Sequence, residues 1–235
     1  AVKNNEGEWV LLNGNQTALM FVYYLITRWK ELGKINGKEY IVKTIVTTET
    51  IKTIAERNGV EMYDVYTGFK WIANVMRENE GKKNYIGGGE ESYGFLCEDF
   101  VRDKDAVSAC VILAEIAAWA KDQGLSLYQL LQKIYVEYGF SKEKGISVVK
   151  KGKSGAEEIE AMMKKFRENP LTEIAGSKVT YFYDYSTLKG KDYAENETVT
   201  LDMPTTSNVL QYFTEDNTKV SIRPSGTEPK IKFYC

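Results

Sequence analysis

The sequence predicts an α/β protein: an α/β/α layered domain with a mixed sheet, followed by a smaller α+β domain with a mainly antiparallel sheet. Strand-like stretches alternate with helix-like stretches as far as about residue 140, which is typical of a layered and at least partly parallel sheet. Beyond that point, successive strand-like stretches have short connections, which favours antiparallel pairing. We therefore expect two domains, at residues 1–140 and 141–235.

The first half contains strands and helices in alternation. The predicted strands are EWVLL, YIVKTIVTT and VEMYDVYT, and the helices that follow them are residues 16–32, ETIKTIAERNG and GFKWIANVMREN. We expect Asn15 to cap the first helix and Gly33 to end it. The stretch NYI leads into a loop, GGGEESYGF. The stretch KDAVSACVILAEIAAWAKDQG predicts a long helix that is apolar on most faces and hence deeply buried.

The second half begins after one more helix, SLYQLLQKIYVEYG, in which Ser126 and Gln129 have the spacing of a capping box. A short strand, GISVVKKG, precedes an amphipathic helix that Pro170 closes. The remaining predicted strands are KVTYFYDYS, ETVTLDM, NVLQYF and KVSIRP, with TEDNT as a hairpin turn between the last two. This order predicts a sheet covered by a helix.

Composition excludes several classes of function. The 31 basic and 33 acidic residues give a net charge of −2, which argues against a nucleic-acid or anionic-membrane partner. Histidine is absent, so His-based triads and zinc sites are excluded. The three cysteines are far apart, and we expect free thiols in a reducing cytoplasm. The apolar run TALMFVYYLI has ten residues, too few to span a bilayer.

The stretch RPSGTEPKIK gathers groups that suit a dianionic phosphate. Arg223 supplies a planar fork of donors, and Ser225 and Thr227 supply hydroxyls. Gly226 permits close approach of the backbone and exposes N–H groups, and Lys232 adds positive charge. The alternative is an ordinary strand–turn–strand corner with solvated cations.

The loop GGGEESYGF and two neighbouring segments are candidates for sugar recognition. Glu90 and Ser92 are two residues apart, so in an extended loop they face the same way and suit vicinal hydroxyls. The alternative is a loop of solvated acids. Thr67 lies at a strand-to-helix junction, where ligands of α/β sheets bind, although it could simply belong to a helix cap. Lys104 precedes a helix N-terminus, where a cation opposes the helix dipole and hints at a ligand.

The segments LLNGNQ, YTGFKWI, GGGEESYGFLCEDFVRDKDAV and RPSGTEPKIKFY, in this order, resemble the α-D-phosphohexomutase superfamily of phosphoglucomutases and phosphomannomutases. The resemblance implies four domains around one cleft, of which this chain would be the C-terminal third and fourth, with the fourth truncated. It implies that Glu90 and Ser92 bind sugar hydroxyls, with Thr67 and Lys104 as further substrate contacts. It also implies that the phosphate not undergoing transfer binds at Arg223, Ser225, Gly226 and Thr227, with Lys232 as an additional cation.

For the whole protein the resemblance implies an isomerase of carbohydrate metabolism. A phosphoserine and Mg²⁺, both outside this chain, would interconvert glucose 1-phosphate and glucose 6-phosphate through glucose 1,6-bisphosphate. We therefore expect no catalytic residue and no metal ligand here, and an inactive isolated chain whose partners are sugar phosphates and the N-terminal domains of the same protein. Phe69 replaces a histidine of some relatives, which leads away from the phosphomannomutases. The alternatives are a phosphomannomutase, a phosphopentomutase, or a non-catalytic sugar-phosphate-binding module.

Overall fold

The computed structural model describes residues 1–150, 152–226 and 228–235. The chain forms two compact units, Ala1–Lys142 and Glu143–Cys235. The elements of the first unit are β1 (Val2–Lys3), β2 (Trp9–Val10), α1 (Gly14–Glu31), β3 (Glu39–Thr44), α2 (Thr50–Arg57), β4 (Glu61–Val65), α3 (Phe69–Asn79), β5 (Asn84–Gly89), β6 (Phe95–Cys97), α4 (Ala106–Asp122) and α5 (Leu127–Tyr138).

The first unit has a four-stranded sheet in the order β4-β3-β5-β6. Strand β3 is parallel to β4 and β5, whereas β6 is antiparallel to β5, so the predicted mixed sheet is confirmed. All six residues of β3 are buried. Ile41 faces a core shared with α1, α2, α4 and α5, and its neighbours Tyr40 and Val42 face a second core shared with α3. Helices therefore cover both faces of the sheet, as predicted.

The elements of the second unit are β7 (Gly145–Val149), α6 (Gly152–Glu168), β8 (Glu173–Ile174), β9 (Ser177–Asp184), β10 (Lys189–Asp192), β11 (Glu197–Thr200), β12 (Leu210–Thr214), β13 (Lys219–Pro224) and β14 (Lys230–Tyr234). Its strands form an antiparallel sheet in the order β11-β10-β9-β12-β13-β14-β7, with β8 paired to β9. Ile159 and Met163 of its helix are buried against one face of this sheet. The predicted α+β arrangement is therefore confirmed.

The start of α1 differs from the prediction. Asn13, not Asn15, caps the helix: the Asn13 side chain accepts the Gln16 N–H at 2.8 Å, and the Gln16 side chain accepts the Asn13 N–H at 3.0 Å. The side chain of Asn15 instead accepts the N–H of Thr48 at 3.0 Å. The preceding EWVLL contributes only β2, which pairs with β1 outside the main sheet, because the chain turns into the capping box almost at once.

Two further predictions were wrong. The first three glycines of GGGEESYGF belong to β5 rather than to a loop. Helix α4 is not deeply buried: Ile116 and Ala120 are its buried residues, whereas Val107 is 74% exposed and Val111 61% exposed. An apolar surface alone does not place a helix inside a fold, and α4 packs mainly through its C-terminal half. Among the described residues, no helix combines the length and apolarity needed to cross a membrane.

Candidate functional site

The sequence-predicted residues of the first unit meet at the carboxyl ends of its parallel strands. Thr67 follows β4 and Glu90 follows β5, and both strands are parallel to β3. Ligands of α/β sheets bind at this edge. The Thr67 hydroxyl is buried and has no hydrogen-bond partner within the described part of the chain. A buried polar atom without a partner is costly, so a ligand or a water molecule that reached this hydroxyl would gain a hydrogen bond.

Glu90 is held by the turn that contains Thr67. Its carboxylate Oε1 accepts the backbone N–H of Gly68 at 2.8 Å, and the residue is only 7% exposed. Gly68 has φ = +121° immediately before α3, a conformation that residues with a side chain rarely adopt. A glycine at position 68 thus allows the turn to present its N–H to Glu90.

Lys104 lies beside Glu90. A Cβ atom at Gly94 would be 3.0 Å from Lys104 Cδ and 3.1 Å from Glu90 Oε2, so both side chains border the same glycine. Lys104 Nζ also lies 5.6 Å from the ring centroid of Phe69 and 3.3 Å from Asp103 Oδ1. Sequence reasoning missed Gly94 as a part of this site, although it stands in the quoted loop.

Ser92 is on the same loop, two residues after Glu90, and its side chain is exposed. Within the first unit the structure therefore brings Thr67, Glu90 and Lys104 together and presents Ser92 to solvent next to them. The arrangement combines one carboxylate, one ammonium group and two hydroxyls. Such a set can accept and donate hydrogen bonds to a polyhydroxylated anion.

In the second unit, two predicted phosphate ligands lie directly opposite each other. Arg223 on β13 and Lys232 on β14 are Cα partners in the antiparallel ladder, so their side chains project from the same face. Lys232 Nζ also lies 6.0 Å from the ring centroid of Tyr234. Two cations that project from the same face of a ladder can together bind an anion.

The turn between these strands contains the other predicted phosphate ligands. The Ser225 N–H donates to the Lys230 carbonyl at 2.8 Å, and the Ser225 hydroxyl accepts the Glu228 N–H at 3.3 Å. Gly226 is exposed, and apart from its chain neighbours no described residue lies within 4 Å of the position its Cβ would occupy. Lys230 pairs with Glu228. Thr227 lies outside the described residues.

A separate cavity of about 540 Å³ lies along α3 and is lined by none of the predicted site residues. Arg102 there pairs with Glu80 at 3.0 Å. In the described ranges, no three His, Cys, Asp or Glu residues are grouped so that they could hold a metal ion.

The comparisons with known proteins agree with this architecture. A family model described as phosphoglucomutase/phosphomannomutase, alpha/beta/alpha domain III, matches residues 13–138. A phosphoglucomutase of Staphylococcus aureus (strain MRSA252) is 37% identical over 234 residues, which are 100% of this chain and 41% of the relative. A phosphoglucomutase of Staphylococcus haemolyticus is 33% identical over 99% of this chain and 41% of the relative. The chain thus spans about two fifths of the length of these relatives.

Solved structures share the fold at low sequence identity. The phosphoglucomutase pp63/parafusin from Paramecium, in its open form, matches with a TM-score of 0.63 and 17% identity over 97% of this chain and 37% of that one. A phosphoglucomutase/phosphomannomutase family protein from Burkholderia thailandensis matches with a TM-score of 0.57 and 13% identity over 99% of this chain and 38% of that one. With more than half of the chain matched by the family model, this chain belongs to the phosphoglucomutase/phosphomannomutase family.

Proposed function

We propose that this chain supplies the sugar-hydroxyl and distal-phosphate binding of a phosphoglucomutase-type isomerase that interconverts hexose 1-phosphate and hexose 6-phosphate. Residues 1–140 would be the sugar-binding third domain, and residues 141–235 the phosphate-binding fourth domain. Family membership supports the reaction class. The observation that carries the proposal is the buried Glu90 carboxylate, fixed by the Gly68 N–H and bordered by Lys104.

Glu90 is suited to orient a sugar without reacting with it. An ionised carboxylate has about four acceptor positions, and the Gly68 N–H occupies one of them. The remaining positions can accept two neighbouring hydroxyls of a hexose. Ser92 can donate to or accept from the same hydroxyls, while Thr67 and Lys104 provide further donors. Hydroxyls near the middle of the sugar could be held in this way whichever end carries the reacting phosphate.

The second unit would bind the phosphate that does not react. Arg223 offers paired donors to two phosphate oxygens, and Lys232 opposite it adds a second charge. Ser225, Gly226 and Thr227 would complete the site from the turn. The two cations would stabilise a dianion more strongly than a monoanion, so a phosphate monoester is the expected ligand class.

The transfer step itself would depend on groups outside these 235 residues. In this proposal the phosphoserine and Mg²⁺ belong to other domains of the same protein, and the metal ion would offset phosphoryl charge. Phosphoryl transfer depends chiefly on positioning and electrostatic stabilisation. The contribution of this chain is positioning: it would hold the sugar by its hydroxyls and the distal phosphate by its cations.

Calorimetric titration of the chain with sugar phosphates tests the proposal. We expect a heat of binding with glucose 1-phosphate and with glucose 6-phosphate. Mannose 1-phosphate and ribose 1-phosphate are titrated in the same way to test the alternative substrates. Replacing Arg223 by Ala should cost about 1.5–3 kcal/mol of binding free energy, because a charged hydrogen-bond donor is lost. Lys230→Gln is the matched control, since Glu228 already pairs with Lys230. Absence of binding to all four sugar phosphates would contradict the proposal.

A second pair of variants tests the sugar site. Glu90→Gln removes the charge of the acceptor but keeps its shape. It should therefore weaken the binding of glucose 1-phosphate and leave the binding of inorganic phosphate unchanged. Glu98→Gln is the control, because Glu98 is an exposed acid in the same unit. We also expect no mutase activity from the isolated chain. Measurable turnover by the chain alone would contradict the proposed division of roles.

A further inference from the structure

We infer that residues 12–14, at the start of α1, together with Thr44 position the loop that carries Glu90 and Ser92. We call residues 12–14 the anchor and residues 90–94 the recognition loop. The inference rests on the proposed function for the importance of this loop. The contacts themselves are independent of that function.

Gly14 is the central residue of the anchor. A Cβ atom at this position would lie 1.9 Å from the Glu91 carbonyl oxygen and 2.7 Å from the Tyr93 backbone nitrogen. Gly14 does not have a positive φ, so conformational freedom is not the reason for a glycine here. The reason is contact: the backbone of the recognition loop lies directly against the first residue of α1.

Two hydrogen bonds fasten the loop on either side of this contact. The Tyr93 hydroxyl donates to the Leu12 carbonyl oxygen at 2.9 Å. The Thr44 hydroxyl, at the end of β3, donates to Glu91 Oε2 at 3.4 Å. Thr44 is fully buried. The loop is therefore tied both to the start of α1 and to the end of the central strand.

The recognition loop also closes on itself. The Glu90 N–H donates to the Gly94 carbonyl at 2.8 Å, and Tyr93 adopts φ = +69°, which is uncommon for a residue with a side chain. Such a conformation persists only where the surroundings enforce it. The bond from Tyr93 to Leu12 and the contact of Tyr93 with Gly14 supply that enforcement.

These contacts give the two adjacent acids different roles. Glu90 points to the Gly68 turn and the proposed sugar site, whereas Glu91 is bound to Thr44 and rests on Gly14. Glu91 is thus a positioning residue. Loss of the anchor should shift Glu90 and Ser92 relative to the sugar while leaving Arg223 untouched, because Arg223 belongs to the other unit.

Gly14→Ala in the whole chain tests this inference. We expect the amides of the recognition loop to exchange with deuterium roughly tenfold faster and the dissociation constant for glucose 1-phosphate to rise roughly tenfold. The affinity for inorganic phosphate should stay unchanged, a selectivity that general loss of structure would not produce. Gly145→Ala is the matched control, since a Cβ there would meet no described residue within 4 Å other than its chain neighbours.

Tyr93→Phe keeps the inference testable if Gly14→Ala does not fold. It removes the hydroxyl bonded to Leu12 without introducing a clash, and it should produce the same changes at smaller amplitude. Tyr193→Phe, in the second unit, is its control. Unchanged loop exchange and unchanged glucose 1-phosphate affinity in folded variants would overturn the inference. If the unaltered chain binds no sugar phosphate, the proposed function fails, and loop exchange alone decides whether the anchor holds the loop.

Discussion

Lys43 carries a fully buried charge, and its two partners predict how the first unit responds to substitution. The side chain is 1% exposed, and its Nζ lies 2.6 Å from Asp64 Oδ1 and 3.0 Å from Glu49 Oε1. The two acids are 35% and 45% exposed, so they reach water and the ammonium group does not. We consider the double variant Glu49→Gln, Asp64→Asn, which leaves the buried ammonium group of Lys43 without either of these carboxylate partners.

The expected cost follows from this asymmetry. Removing the partners of a buried ion costs about 3–5 kcal/mol, because the remaining charge stays desolvated and uncompensated. Lys43→Met should cost far less, about 1 kcal/mol or below, since the carboxylates it leaves behind are solvated and Met fills a similar volume. A triple variant that combines Lys43→Met with Glu49→Gln and Asp64→Asn should recover most of the loss, because neither an unpaired ammonium group nor repelling carboxylates remain.

Urea unfolding followed by tryptophan fluorescence measures these differences. All four tryptophans, Trp9, Trp29, Trp71 and Trp119, lie in the first unit, so the signal reports that unit selectively. The urea concentration at the unfolding midpoint should fall most for the double variant. It should fall much less for the triple variant and for Lys43→Met. A double variant that is as stable as Lys43→Met would refute the reasoning, since it would mean that the buried ammonium group needs no countercharge.

Three other outcomes are expected. Burial lowers the pKa of Lys43, but the carboxylates of Asp64 and Glu49 outweigh burial and raise the pKa above 10.5. The contribution of Lys43 to the free energy of unfolding is therefore complete below pH 10.5 and is lost at higher pH. A pH titration of stability followed by tryptophan fluorescence would detect this loss. The Thr214 hydroxyl lowers the pKa of Asp216 to about 2. The contribution of Asp216 to stability is therefore complete above pH 3.8 and is lost towards pH 2. Asp216→Asn should abolish this part of the pH dependence of stability, as measured by circular dichroism. Ser126→Ala removes the capping box of α5 and should cost about 1 kcal/mol in urea unfolding.

The layered fold was predictable because its signals are local. The spacing of apolar residues and the local composition identify β3, α2 and α3. The capping box of Ser126 and Gln129 also lies where the sequence predicts it. The glycines of β5 were misassigned because glycine is a poor strand former. They occur in a strand for a tertiary reason: a Cβ at Gly88 would lie 2.3 Å from the Val42 carbonyl oxygen, and one at Gly89 would lie 2.6 Å from the Gly94 carbonyl oxygen. No local pattern reports such approaches between neighbouring strands.

The candidate site was predictable in its residue types but not in its arrangement. Alternation along a loop separates Glu90 from Glu91, and the structure has them facing different partners. The sequence could not reveal that Gly68 donates to Glu90 or that Lys104 borders Gly94, because these contacts join segments that are far apart in the chain. Asn15 illustrates the same difficulty: as a cap it was a local inference, whereas its true partner is Thr48.

The two candidate sites differ in how their charges are compensated before any ligand binds. The Glu90 carboxylate already accepts a hydrogen bond from Gly68, so a sugar would bind to an acceptor whose position is fixed. Sugar binding would therefore cost little side-chain conformational entropy at Glu90. Arg223 and Lys232 instead present two cations at directly opposed positions of the ladder, so an arriving dianion would gain two charge-assisted contacts. Under the proposed function, the second unit should therefore provide most of the affinity, and the first unit should provide selectivity among sugars that carry the same phosphate.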